Sequence, residues 1–95
     1  MPEGFVYILT NRKGGVLYIG VTSDLANRVM QHRSGAVLGF TKKYNCHRFV
    51  WFQRHDNLHD ARVVERRMKA WQRAWKIRVI EEVNPAGDDL SAHLT

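Results

Sequence analysis

Phe5-Val6-Tyr7-Ile8-Leu9, then Asn11-Arg12-Lys13-Gly14-Gly15, then Val16-Leu17-Tyr18-Ile19-Gly20-Val21 is the stretch on which the fold turns. Its first segment is aromatic and β-branched, the composition that suits a pleated, covered strand. The polar segment has two glycines able to take positive φ, which marks a turn. The third segment repeats the strand chemistry, so the chain opens with a β-hairpin. With the turn centred between Arg12 and Lys13, Tyr7 is expected opposite Tyr18, both on one face. A one-residue slip would send the two phenols to opposite faces.

Beyond the hairpin, Thr22-Ser23-Asp24 offers N-caps for a helix running to about Ser34, with Gly35 closing it. Leu25, Val29 and Met30 form its apolar side, and Arg28 and His32, four apart, project together beside that stripe. Ala36 to Asn45 reads as an exposed basic loop containing Lys42 and Lys43, and His47 to Phe52 as a third strand. Asn57 and Asp60 have the spacing of a weak capping box. From Leu58, Ala61, Val64, Met68 and Trp71 recur at helical intervals and are expected to face the core, with Glu65 inside the stripe. A last helix holds Trp75, Val79, Ile80 and Val83 and stops at Asn84-Pro85, its start falling between Trp71 and Ala74. The order strand, strand, helix, strand, helix, helix predicts a small α/β sandwich. In it a three-stranded, mainly antiparallel sheet is flanked by about three helices. The whole chain, 1–95, is expected to be one domain with its core over about 5–84 and a polar, loosely held tail.

Ninety-five residues suffice for one core and no more. A hydrophobic share of 44% and a charged share of 25% exclude a disordered or collagen-like chain. No apolar run approaches the roughly 20 residues of a membrane helix, and the N-terminus lacks a secretory pattern. One cysteine, Cys46, forms no internal disulfide, which fits a reducing compartment and an expected cytoplasmic location. The net charge of +6 favours polyanions as partners. By itself it leaves nucleic acid, an anionic membrane surface and plain solubility all open.

Five side chains carry candidate chemistry. Glu65, a carboxylate at a core-facing position, needs a cation or several donors to offset its desolvation. It reads either as a stripe-edge residue paired with Arg62 or Lys69, or as a ligand to a hard divalent ion. Arg28 is a solvated helical charge or a fork of donors for a phosphate gaining negative charge. His32 is a surface histidine, a proton relay or a phosphate contact. Tyr7 and Tyr18 are strand aromatics or phenols at a reaction centre, where base catalysis would need a cationic neighbour to lower a pKa near 10. Asn84 terminates a helix. Singly, each of these favours its structural reading.

Their order does not. Val6-Tyr7 followed by Tyr18-Ile19-Gly20, then Arg28, His32, Glu65 and Asn84-Pro85, resembles the GIY-YIG nuclease superfamily from about Phe5 to Leu90. The similarity is greatest to its small standalone bacterial members of the UPF0213 type, whose ending is similar to Asn84-Pro85 with Asp89-Leu90. Phe5 stands where the first motif has its glycine. Val21 stands where some members carry a lysine, and Gly87 lies where a tryptophan is often found. The resemblance implies one-metal hydrolysis of a phosphodiester, giving 5′-phosphate and 3′-hydroxyl products. Glu65 would hold a single Mg²⁺ or Mn²⁺, Tyr18 or Tyr7 would handle the attacking water, and Arg28 would face the phosphorus. His32 would relay a proton or hold a phosphate oxygen, with Gly20 and Asn84 in support. The expected partner is nucleic acid, DNA before RNA, met by Lys42, Lys43, Arg62, Arg66, Arg67, Lys69 and Arg73, by a monomer or weak homodimer and with no membrane. Lys76, Arg78 and Arg48 add to the same positive surface, and Tyr44 or Trp51 are candidates to stack on bases.

Two rivals accompany this reading. One is a non-catalytic, basic nucleic-acid-binding module on the same fold. The other is a zinc module built from His55, His59, Cys46 and His47, which lacks any Cys-x-x-Cys pair.

Overall fold

The computed structural model describes residues 2–34 and 39–93. β1 (Gly4–Thr10) and β2 (Leu17–Thr22) form the hairpin, and β3 (Arg48–His55) pairs antiparallel along the other side of β1. The sheet order is β2-β1-β3, so the strand that opens the chain is the central one. α1 (Leu25–Arg33), a single turn α2 (Phe40–Lys43), α3 (Leu58–Ala70), α4 (Arg73–Val83) and a 3₁₀ turn (Leu90–His93) complete it. The expected three-stranded sheet with flanking helices is the observed architecture.

β1 explains why its sequence is apolar without alternation. Val6, Tyr7, Ile8 and Leu9 are all fully buried, as in strands covered on both faces. Successive side chains point to opposite sides, and the core divides accordingly. Tyr7 and Leu9 pack with Leu25, Val29, Cys46 and Phe49 under α1. Val6 and Ile8 pack with Ile19, Val50, Trp51, Ala61, Met68 and Ile80 under α3 and α4. Trp51 belongs to this second layer, which removes it as a stacking surface.

The hairpin register differs from the expected one by two residues. Tyr7 lies opposite Gly20, and Tyr18 opposite Leu9. The cause is the turn: Gly15 N–H donates to the Arg12 carbonyl at 2.9 Å, with Gly14 at φ +74°, so the turn spans Arg12–Gly15. A two-residue shift preserves the face, so both phenols still lie on the α1 side, diagonal rather than opposed.

Asp24 caps α1, its side chain accepting from Asn27 N–H at 3.1 Å. The closing role assigned to Gly35 lies outside the described residues. The basic stretch before β3 contains the helical turn α2, and Lys42 and Lys43 on it are exposed. Asn57 caps α3 through Asp60 N–H at 2.8 Å and donates to the Asp60 carboxylate at 3.0 Å. The break between α3 and α4 falls at Trp71-Gln72, and Trp71 is only half-buried at the rim of the core.

The described part of the segment after α4 is hydrogen-bonded to β3. Arg48 donates to the Gly87 carbonyl at 2.7 Å, and Phe49 N–H to the Asp89 carboxylate at 3.2 Å. Asn84 is the hub. β3 carries a bulge between the partners of Ile8 and Leu9, which leaves Val50 as the extra residue. Asn84 Nδ2 donates to that Val50 carbonyl at 3.0 Å and to Asp88 O at 2.8 Å, while Asn84 Oδ1 accepts from Asp88 N–H at 3.1 Å.

Candidate active site

Tyr7 is the centre of the polar group beneath α1. Its ring lies over Gly20: a Cβ placed on that glycine would meet Tyr7 Cζ and Oη at 2.4 Å. No side chain fits there, which is the physical reason for glycine at position 20. Because β2 is an outer strand, the buried phenol lies over the edge side of the sheet within the layer under α1.

Arg28 meets it there. One turn into α1, its Nη1 donates to Tyr7 Oη at 2.9 Å, leaving the phenol its own hydrogen to donate. Burial pushes the Tyr7 pKa up and outweighs the Arg28 charge that pulls it down; the neighbouring Tyr18 and the Glu65 charge push the same way as burial. Tyr7 is therefore a protonated phenol at neutral pH. Tyr18 is half-buried, with its ring 6.5 Å from that of Tyr7 and tilted by 42°.

His32 is buried, not on the surface. It stands edge-on to Tyr7 (6.3 Å, 71°) and to Phe49 (5.6 Å, 78°), and Tyr7 and Phe49 are themselves in ring contact at 5.4 Å. Burial first, and the Arg28 charge second, lower its pKa to about 4. In this setting the ring is neutral at pH 7. Its Nε2 is buried and has no hydrogen-bond partner among the described residues, a departure from the usual pairing of buried polar atoms. Phe49, which holds both rings, reads in the sequence as an ordinary strand aromatic; nothing in its spacing marks it.

Glu65 comes from the other layer, on the buried stripe of α3 between Ala61 and Met68, and is 7% exposed. Its charge nevertheless bears on the Tyr7 phenol. Lys69, one turn on and more than half exposed, forms an ion pair with its carboxylate. A buried carboxylate paired with one solvent-exposed cation is better suited to exchange for another cation than a fully enclosed pair. Among the described residues no three His, Cys, Asp or Glu side chains gather around one point. Glu65 thus offers one hard oxygen ligand, the arrangement in which water and phosphate fill the remaining positions of a small divalent ion. Cys46 is buried, its thiol directed at the Val16 and Tyr44 carbonyls.

Arg62, Arg66, Arg67, Lys69 and Arg73 are exposed on the α3–α4 side. Some of the basic residues are tied to main-chain carbonyls: Arg73 donates to Gly14 and Gly15 at 2.9 and 2.5 Å, Arg48 to Gly87 and Lys76 to Lys69. Asn84 does not join the phenol cluster; it locks α4 to β3 on the opposite layer.

A family model described as the GIY-YIG catalytic domain matches residues 3–78. The chain belongs to the GIY-YIG family. A UPF0213 protein of Pediococcus pentosaceus is 32% identical over 80 residues, covering 84% of each chain. A UPF0213 protein of Staphylococcus saprophyticus is 28% identical over 82 residues, covering 86% of this chain and 99% of that one. Among solved structures, the solution NMR structure of a UPF0213 protein from Bacillus halodurans aligns with a TM-score of 0.56. Its identity is 26%, over 88% of both chains. The GIY-YIG domain places the protein in a nuclease superfamily, implies binding to nucleic acid, and belongs to enzymes that generally use a divalent metal ion. In this GIY-YIG chain the second motif's glycine is the residue beneath the first motif's tyrosine, so the two motifs form one contact. Among the described residues no helix is long and apolar enough to cross a membrane.

Proposed function

We propose that this protein is a metal-dependent endonuclease that hydrolyses phosphodiester bonds, in DNA before RNA, with Glu65 as the ligand of a single Mg²⁺ or Mn²⁺. The observation that carries the reading is the meeting of three elements at Tyr7: β1 supplies the phenol, α1 the guanidinium bonded to it, and β2 a second phenol, with the buried Glu65 carboxylate on α3 close enough for its charge to act on that phenol.

When bound, the ion would draw off charge from the phosphate and the departing oxygen. Arg28, held by Tyr7, presents its remaining donors to a phosphate whose charge peaks in the transition state. Tyr18 is the tyrosine with access to solvent and orients or deprotonates the attacking water. Tyr7, buried and protonated, positions Arg28 and donates its own hydrogen. His32, neutral, relays a proton through its buried Nε2, which no other described group occupies.

Cleavage of single-stranded, duplex, flapped and junction substrates under a magnesium titration tests this. Glu65→Ala is expected to abolish turnover while binding survives, and Arg28→Ala to lower the rate roughly 10²–10³-fold. The Glu65–Lys69 pair also favours a second reading, a non-catalytic binder in which the lysine permanently neutralises the carboxylate. Equal, metal-independent background in wild type and Glu65→Ala would establish that reading instead.

A further inference from the structure

The junction of α3 and α4 carries a large aromatic surface that the site above does not use. Trp75 is 52% exposed and stands edge-on to the half-buried Trp71, ring centres 6.3 Å apart. Trp71 is anchored at the rim of the core, so Trp75 is a braced indole rather than a loose one. Among the described residues, the ion pairs involve Arg54 and Lys69 and not Arg73, Lys76 or Arg78 on this helix. Arg73 and Lys76 donate to main-chain carbonyls, and Arg78, exposed one turn beyond Trp75, lines a hollow with Glu81 and Glu82. The patch is physically continuous with the proposed site, because Lys76 Nζ reaches the Lys69 carbonyl at 3.3 Å and Lys69 pairs with Glu65.

We infer that Trp75 is a stacking platform for an unpaired nucleobase, with Lys76, Arg73 and Arg78 holding the adjoining phosphates. A flat π surface beside cations is the chemistry that tracks single-stranded nucleic acid, since every base has a face to stack and every link a charge. The net charge of +6 favours a polyanion over a second copy of this chain as the occupant. The inference rests on the nucleic-acid reading of the site and names its substrate class: strands with unpaired bases next to the scissile link.

The test is binding in EDTA, where no metal-dependent cleavage occurs, using labelled oligothymidylate of about 12 nucleotides and a duplex of the same length. The wild-type indole fluorescence should be quenched by the single strand. Trp75→Ala should weaken single-strand binding by roughly fivefold to a hundredfold and leave duplex binding within about twofold, since paired bases offer no free face. Trp75→Phe should recover part of the loss, which separates stacking from damage to the fold. Equal binding of the single strand by wild type and Trp75→Ala would overturn the platform alone, leaving the Glu65 experiment untouched. Parallel losses on single strand and duplex would also overturn it. Concentration-dependent dimers by sedimentation, abolished in Trp75→Ala, would assign the patch to self-association instead. Failure of the wild type to bind either oligonucleotide would overturn this inference and the nucleic-acid reading together.

Discussion

Gly20 and Tyr7 are the smallest unit in which fold and chemistry are the same thing. A methyl group at position 20 must occupy space now filled by Cζ and Oη of Tyr7, and the ring, fully buried, has little room to yield. Gly20→Ala is therefore expected to lower stability by about 1–3 kcal/mol, the usual range for overpacking, measured by urea denaturation. It should also displace the phenol from Arg28, so the variant should lose more activity than its remaining folded fraction explains. Full activity with wild-type stability would show that the ring is not confined as described. The sequence identifies the participants here, but not this contact. Motif spacing brings Tyr7, Tyr18 and Gly20 into one reading, whereas the collision distance depends on a register that two adjacent glycines, Gly14 and Gly15, leave open by two residues. His32 was harder still. Its place on α1 beside Arg28 is legible from i,i+4 spacing, but its burial is decided by Tyr7 and Phe49, which arrive from two strands.

Elements were legible where one period governs and obscure where a side chain from elsewhere decides. β1, β2, α1 and α3 follow from strand composition, an Asp24 cap and the Ala61–Glu65–Met68 stripe. Because strand side chains alternate, the two-residue error in register left every face correct. The docked tail was not legible, since polarity is a poor guide when polar groups have fixed partners. Asn84 satisfies the carbonyl freed by the β3 bulge and both main-chain groups of Asp88. Asn84→Ala leaves the buried Val50 carbonyl unpaired, which costs about 1–3 kcal/mol. It should raise amide exchange across Ala86–Ser91 and at Phe49 while leaving Tyr7 protected. Unaltered exchange in the tail would mean that Asp89 and Arg48 hold it without Asn84. Asn84→Asp should be no milder, because it sets a carboxylate oxygen against two carbonyls.

At the scale of the molecule, the buried neutral histidine sets a pH limit. His32 has its pKa lowered to about 4 in the folded protein against about 6.5 when unfolded. Between these values the unfolded chain binds the additional proton, so stability rises with pH through that window. It is lost progressively as pH falls from about 6.5 toward 4. Urea midpoints across this range should fall in the wild type, and less in His32→Gln, where the titrating ring is gone. Parallel curves would assign the acid sensitivity to other groups. The Asp89 carboxyl contributes lower down. Burial alone would raise its pKa, but hydrogen bonds from Ser91 and Phe49 and the Arg48 charge together hold it below the usual value. Its share is present above the unfolded carboxylate pKa and lost only in stronger acid.

The middle strand of a three-stranded sheet is the last part of such a fold to loosen. Tyr7 sits there, enclosed on both sides, while Arg28 reaches it from α1 and Glu65 stands on α3, helices that can fray or breathe independently. The phenol is thus a fixed datum against which the other groups move. Heating should silence the site gradually, as the helices drift away from it. The phenol itself should stay in register until the whole chain lets go.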